Sequence, residues 1–258
     1  MKLPFKDIGN GNPVILIHAF PLSSKMWESQ AELLVRNGYR VILPDLPGFG
    51  ENNDFTRCYS IAEMASKISE LVDSLNITQP VIGGLSMGGY VLFELIRIAP
   101  DKFSGLILCD TTFSADTEEK RLSRFDLISK IENQGSSALI ENMLPNLVSD
   151  YTKQNNPRLL EELKELFLTV EPSAAMNALR SMAERNDNSE ILDKINFPVL
   201  LIFGEFDKVT NLENGRKMNE LIPVSELAII KKAGHYSNLE QPEQFNQKLL
   251  DFISRIKF

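Results

Sequence analysis

Histidine and cysteine are scarce in this chain, with two of each in 258 residues. Cys58 and Cys109 cannot build a disulfide framework, and neither has the spacing of a metal ligand, so no metal and no cofactor is expected. His18 and His235 are the only places where chemistry that needs an imidazole can be sited. Long hydrophobic runs are missing too. The longest, residues 14–17 and 199–203, are far too short to cross a bilayer. The opening residues, 1–7, hold no apolar run of the signal-peptide kind. Positive charge is outweighed, 27 Lys and Arg against 35 Asp and Glu. The resulting net charge of −8 repels nucleic acid and anionic membranes, so neither is expected as a partner. No repeat, low-complexity tract or Gly-rich phosphate loop is present. The expectation is a soluble protein of a reducing compartment, the cytoplasm, acting on a small molecule. Nothing in the chain specifies an oligomeric state.

What is present is an alternation of short apolar strands and helices. Residues 13–18, 40–43, 79–83, 105–109, 198–203 and 226–230 read as buried strands, with helical spacing between them. Ser60 and Glu63 form a capping-box signature for a helix running to about residue 75. Continuously apolar strands separated by helices imply a mostly parallel sheet covered on both faces. The rhythm breaks from 112 to 196, which is rich in Leu, Glu, Lys, Asn and Met. Asn156-Pro157 and Glu171-Pro172 there look like helix starts. The expected organisation is a core of residues 1–111 and 197–258. Residues 112–196 would form a helical lid inserted after the sixth strand, over the edge where open α/β sheets bind ligands.

Gly84-Leu85-Ser86-Met87-Gly88 carries the most information. Three fixed residues of this kind recur by chance in about one chain in ten of this length, so context must carry the reading. Here the serine lies between an apolar strand and a helix that stops at Pro100. A glycine two residues away on each side permits a turn tight enough to lift the Ser86 hydroxyl above the sheet, the geometry of a nucleophile elbow.

Serine needs a base to take its proton and a carboxylate to orient that base. His18, Asp45, Ser86, Asp110, Asp207 and His235 all fall just past the C-terminal end of an expected strand, so one sheet edge can gather them. His235 follows the last strand and comes after the serine, which makes it the base. Asp207 and Asp110 both qualify as the acid. The order Ser, Asp, His, with the acid in the loop after the penultimate strand, favours Asp207. An oxyanion would be held by the backbone N–H of Met87 and by that of Phe20, in the loop after the first strand. His18 reads as a structural ring that shapes that loop, and Asp45 as its brace. Met143, Met176 and Met182 are candidates to line an acyl pocket. Cys109 reads as packing and Trp27 as a helix anchor.

These segments resemble the α/β-hydrolase fold serine hydrolases over nearly the whole chain. The matching pieces are His18-Ala19-Phe20-Pro21, Asp45-Leu46-Pro47-Gly48-Phe49-Gly50, Gly84 to Gly89, the loop ending at Asp207, and Ala233-Gly234-His235 followed by Glu240-Gln241-Pro242. Within that fold the chain is most similar to small carboxylesterases and 3-oxoadipate enol-lactonase-like proteins. The resemblance implies a triad of Ser86, Asp207 and His235, with Phe20 and Met87 as oxyanion donors. Two positions depart from the family pattern: Ala19 stands where glycine is usual, and Asn52 where serine is. The expected activity is hydrolysis of short- to medium-chain carboxylic esters through an acyl-enzyme. A lactonase of the enol-lactonase type is the nearest alternative, and a small-molecule receptor on a hydrolase scaffold is another. Arg180 and Arg185 are expected to face solvent, though either turned inward would suit a carboxylated lactone.

Overall fold

Each strand of an α/β layer must bury both faces, so helices have to alternate with strands along the chain. The structure, a computed structural model, describes residues 3–258 and follows that rule. Met1 and Lys2, part of the segment read for a signal peptide, lie outside the described residues. Seven strands, β1 (Phe5–Ile8), β2 (Asn12–Ile17), β3 (Tyr39–Pro44), β4 (Val81–Leu85), β5 (Gly105–Cys109), β6 (Val199–Gly204) and β7 (Ser225–Ile230), form one sheet. Their order is β1-β3-β2-β4-β5-β6-β7, parallel except for β1, which pairs antiparallel with β3. β1 had no signal in the sequence. It is a four-residue edge strand with largely exposed side chains, so no apolar run marks it.

Four helices cover the first part of the sheet or join its strands: a 3-10 turn at Ser24–Trp27, then α1 (Glu28–Arg36), α2 (Ile61–Ser74) and α3 (Met87–Ile98). The α2 capping box forms as expected, the Ser60 hydroxyl accepting the Glu63 N–H and Glu63 accepting the Ser60 N–H. Trp27 is buried against Phe245, ring centroids 6.0 Å apart.

Between β5 and β6 come α4 (Glu118–Gln134), α5 (Ser137–Asn142), α6 (Leu144–Leu147), α7 (Asp150–Asn155), α8 (Pro157–Leu168), α9 (Pro172–Ala183) and a 3-10 turn at Ser189–Lys194. No strand lies in this interval among the described residues. It follows the fifth strand of this count, not the sixth. The chain then closes with α10 (Asn211–Leu221), α11 (Ser237–Glu240) and α12 (Pro242–Ile253). α8 and α9 start at Pro157 and Pro172, where a missing N–H costs nothing. No helix among the described residues is long and apolar enough to cross a membrane.

Candidate active site

Ser86 sits between β4 and α3 with φ +55° and ψ −111°, a conformation that side-chain-bearing residues avoid. It is held there from several sides. Its N–H donates to Cys109 C=O at 2.9 Å, and its C=O accepts the Thr111 hydroxyl at 2.8 Å. The flanking glycines are required by close approach. A Cβ on Gly84 would come within 2.6 Å of Gly88, and one on Gly88 within 2.4 Å of Ile17 C=O. Strain of about 1–3 kcal/mol persists at such a residue only where its surroundings enforce it.

The structure brings three of the expected residues into one chain of contacts. His235 Nε2 lies 2.8 Å from Ser86 Oγ, and His235 Nδ1 lies 3.0 Å from Asp207 Oδ2. Both the ring and the carboxylate are buried. Asp207 makes an Asx turn in which Oδ1 accepts the Val209 N–H at 2.7 Å and the Thr210 N–H at 3.1 Å. The Thr210 hydroxyl donates to Oδ2. Burial pushes the Asp207 carboxyl up, but His235 and these donors outweigh it and hold it below the usual carboxylate range. Thr210 escaped the sequence reading, although Asp207-Lys208-Val209-Thr210 carries the Asx-turn spacing that would have found it.

Asp110, the other candidate acid, does not reach the ring. Its Oδ1 accepts the Gly204 N–H at 2.7 Å and its Oδ2 meets the Ser237 hydroxyl. His18 is structural. Leu46 N–H donates to its Nε2 at 2.9 Å, so Nδ1 carries the proton and donates to Ala19 C=O at 3.0 Å. Burial lowers its pKa, which keeps the ring neutral. Asp45 braces the loops, accepting Ser24 N–H at 2.8 Å and Glu51 N–H at 2.9 Å. Asn52 joins them by donating to Asp45 C=O at 3.1 Å. Cys109 is fully buried, and burial pushes its thiol pKa well up.

Phe20, in the loop after β2, is held from behind by the buried Tyr236 hydroxyl, which donates to its C=O at 3.0 Å. Ala19 lies outside the residues with positive φ, so its Cβ costs this loop nothing. Among the described residues no protein acceptor takes up the N–H of Phe20 or of Met87. A cavity of about 300 Å³ opens beside the same loop, lined by Pro21, Leu22, Phe49, Phe55, Leu166 and Val170 among others. The three methionines are not part of that lining. Met182 is buried, while Met143 and Met176 pack half-buried against the core.

Arg185 departs from its expectation. It is buried, because Asp116 at 2.6 Å, Ser114 C=O at 2.8 Å and Met182 C=O at 2.8 Å take its donors, and its guanidinium lies 4.3 Å from the Tyr90 ring centre. Arg180 does lean outward, 3.9 Å from Glu132.

The profile of the α/β hydrolase fold matches residues 12–242. An AB hydrolase superfamily protein of Bacillus subtilis, YisY, is 27% identical over 96% of this chain and 93% of its own length. The 3-oxoadipate enol-lactonase 1 of Acinetobacter baylyi is 26% identical over 96% of this chain and 91% of that protein. The structure of a thermophilic esterase from Thermogutta terrifontis, malate bound, superposes with a TM-score of 0.94 at 36% identity, covering 98% of this chain and 93% of the other.

Proposed function

This chain belongs to the α/β-hydrolase fold family, and from that premise we propose that it is a serine carboxylic-ester hydrolase acting through an acyl-enzyme. The observation that carries the reading is the pair of contacts on His235, 2.8 Å to Ser86 Oγ and 3.0 Å to Asp207 Oδ2. Ser86 Oγ attacks the acyl carbonyl while His235 Nε2 takes its proton. Asp207 keeps the Nδ1–H tautomer and stabilises the imidazolium that forms. The N–H groups of Phe20 and Met87 hold the oxyanion, each such donor contributing about 10²–10³ in rate. His235 next protonates the leaving alcohol. A water activated by the same ring then attacks the acyl carbon and releases the acid.

The helical segment 112–196 acts as the lid in this reading, above a core of 1–111 and 197–258. That segment is rich in aliphatic and Met side chains, which suits an uncharged, short- to medium-chain ester. A carboxylated lactone is less well served. Arg185 is committed to Asp116 and two carbonyls, and Arg180 leans outward to Glu132. The test is steady-state turnover of p-nitrophenyl esters by the wild type and by Ser86→Ala. Many turnovers per molecule, lost in the variant, are expected. Binding without turnover would mark a receptor instead.

A further inference from the structure

Glu240 has no part in the chemistry above, yet its carboxylate is buried. It is held by three donors from two different places. Oε1 accepts the Gly234 N–H at 2.8 Å, next to the histidine. Oε2 accepts the Ser149 N–H at 2.8 Å and the Thr152 hydroxyl at 2.7 Å, both from the helical insertion. Around it the two backbones touch. His235 N–H donates to Leu147 C=O at 3.0 Å, and the Ser149 hydroxyl donates to Lys232 C=O at 2.7 Å. A Cβ on Gly234 would come within 2.6 Å of Ser149 N, so nothing fits between them.

We propose that Glu240 is a positioning residue that couples residues 147–152 of the insertion to the loop bearing His235, so that the ring keeps its place over Ser86 only while the insertion is seated. The proposal rests on the serine-hydrolase reading for its kinetic consequence. Its physical basis is a buried carboxyl group whose three donors come from both segments, so that losing one donor leaves a buried polar oxygen undersatisfied and loosens the others. Glu240→Gln cannot preserve the arrangement. Whichever way the amide turns, its NH₂ faces a backbone N–H, that of Gly234 or that of Ser149.

The experiment compares Thr152→Val, Glu240→Gln, the double variant and Leu163→Ala. The last removes a buried side chain of α8, outside residues 147–152 and 232–236, as a control for lost stability. Hydrogen–deuterium exchange of residues 232–236 is read beside kcat and KM on a p-nitrophenyl ester. Thr152→Val should speed exchange in 232–236 and lower kcat about tenfold while KM changes less than about threefold. Glu240→Gln should do more, and the double variant no more than Glu240→Gln alone, since both break one unit. Leu163→Ala should leave exchange in 232–236 and kcat close to wild type. Unchanged exchange in Thr152→Val, or additive effects in the double variant, would overturn the coupling, and Thr152→Val decides it even where Glu240→Gln fails to fold. Absence of ester turnover in the wild type would instead sink the hydrolase reading, and the exchange measurement would still decide the coupling.

Discussion

Asp110 and Asp207 follow the neighbouring strands β5 and β6, and the charge of Asp207 helps keep the proton on Asp110. Burial is the larger cause. Together they push the Asp110 carboxyl well above the usual range, against the pull of the Ser237 hydroxyl and the Gly204 N–H. Asp207 is driven the other way by His235 and its own donors. Two carboxyls at one sheet edge therefore divide the work: one set against the imidazole, the other tying the strand before the Asp207 loop to the residue two past the histidine.

Asp207→Asn should lower kcat by about 10³–10⁴, because the amide holds the His235 ring in the wrong tautomer. Asp110→Asn should stay within about tenfold of wild type, since its amide can still accept the Gly204 N–H and donate to Ser237. Steady-state kinetics on the two folded variants would decide. A greater loss in Asp110→Asn would move the acid to β5.

Stability should carry the mark of Asp110 on the alkaline side. Its folded pKa is raised, so the folded protein keeps a proton that the unfolded chain releases above about pH 4. That contribution is complete below the unfolded value and is lost as pH rises through the folded one. Melting curves from pH 4 to 9 should show wild type losing ground to Asp110→Asn as pH rises. Parallel curves would mean an ordinary carboxyl.

Ser86→Ala should cut kcat by about 10⁴ or more with the fold intact, because the hydroxyl serves the reaction and not the core. Circular dichroism would confirm folding. A folded variant with near-normal esterase turnover would remove Ser86 from the mechanism.

A series of p-nitrophenyl esters from acetate to palmitate, run beside a carboxylated lactone, should give kcat/KM peaking at short to medium chains. Each well-fitted methylene is worth roughly 1 kcal/mol of binding in the transition state. A strong preference for the carboxylated lactone would count against the plain esterase reading.

Arg185→Met should act through stability instead. It leaves Asp116 with Arg124 alone in a buried site, a loss of about 3 kcal/mol that a melting-temperature shift would read. Asp116 is pushed up by burial but held low on balance by Arg124 and Arg185, so its contribution is lost as pH falls through the folded value. A variant with wild-type melting that changed only ester selectivity would place Arg185 in the substrate site.

Periodicity and punctuation determined much of this molecule before any contact was known. The buried strands at 105–109 and 199–203, the helix at 211–221 and the proline-led starts of α8 and α9 follow from local patterns that survive packing. The elbow at Ser86 was legible because only glycine tolerates the approaches of Ile17 and Gly88. With two histidines in the chain, the ring that meets Ser86 was narrowed almost by counting. Tertiary structure decided the rest, because partners far apart in sequence leave no periodic trace. β1 exists through its pairing with β3 alone. Asp110 and Asp207 are the same residue type at the same kind of place, and only the packing of β5, β6 and the loop at 232–236 determines which one meets the ring. Arg185 turned inward because Asp116, 69 residues away, is buried beside it. Glu240 meets Ser149 and Thr152 across about ninety residues of chain, 91 and 88 positions apart, a contact that no local pattern encodes.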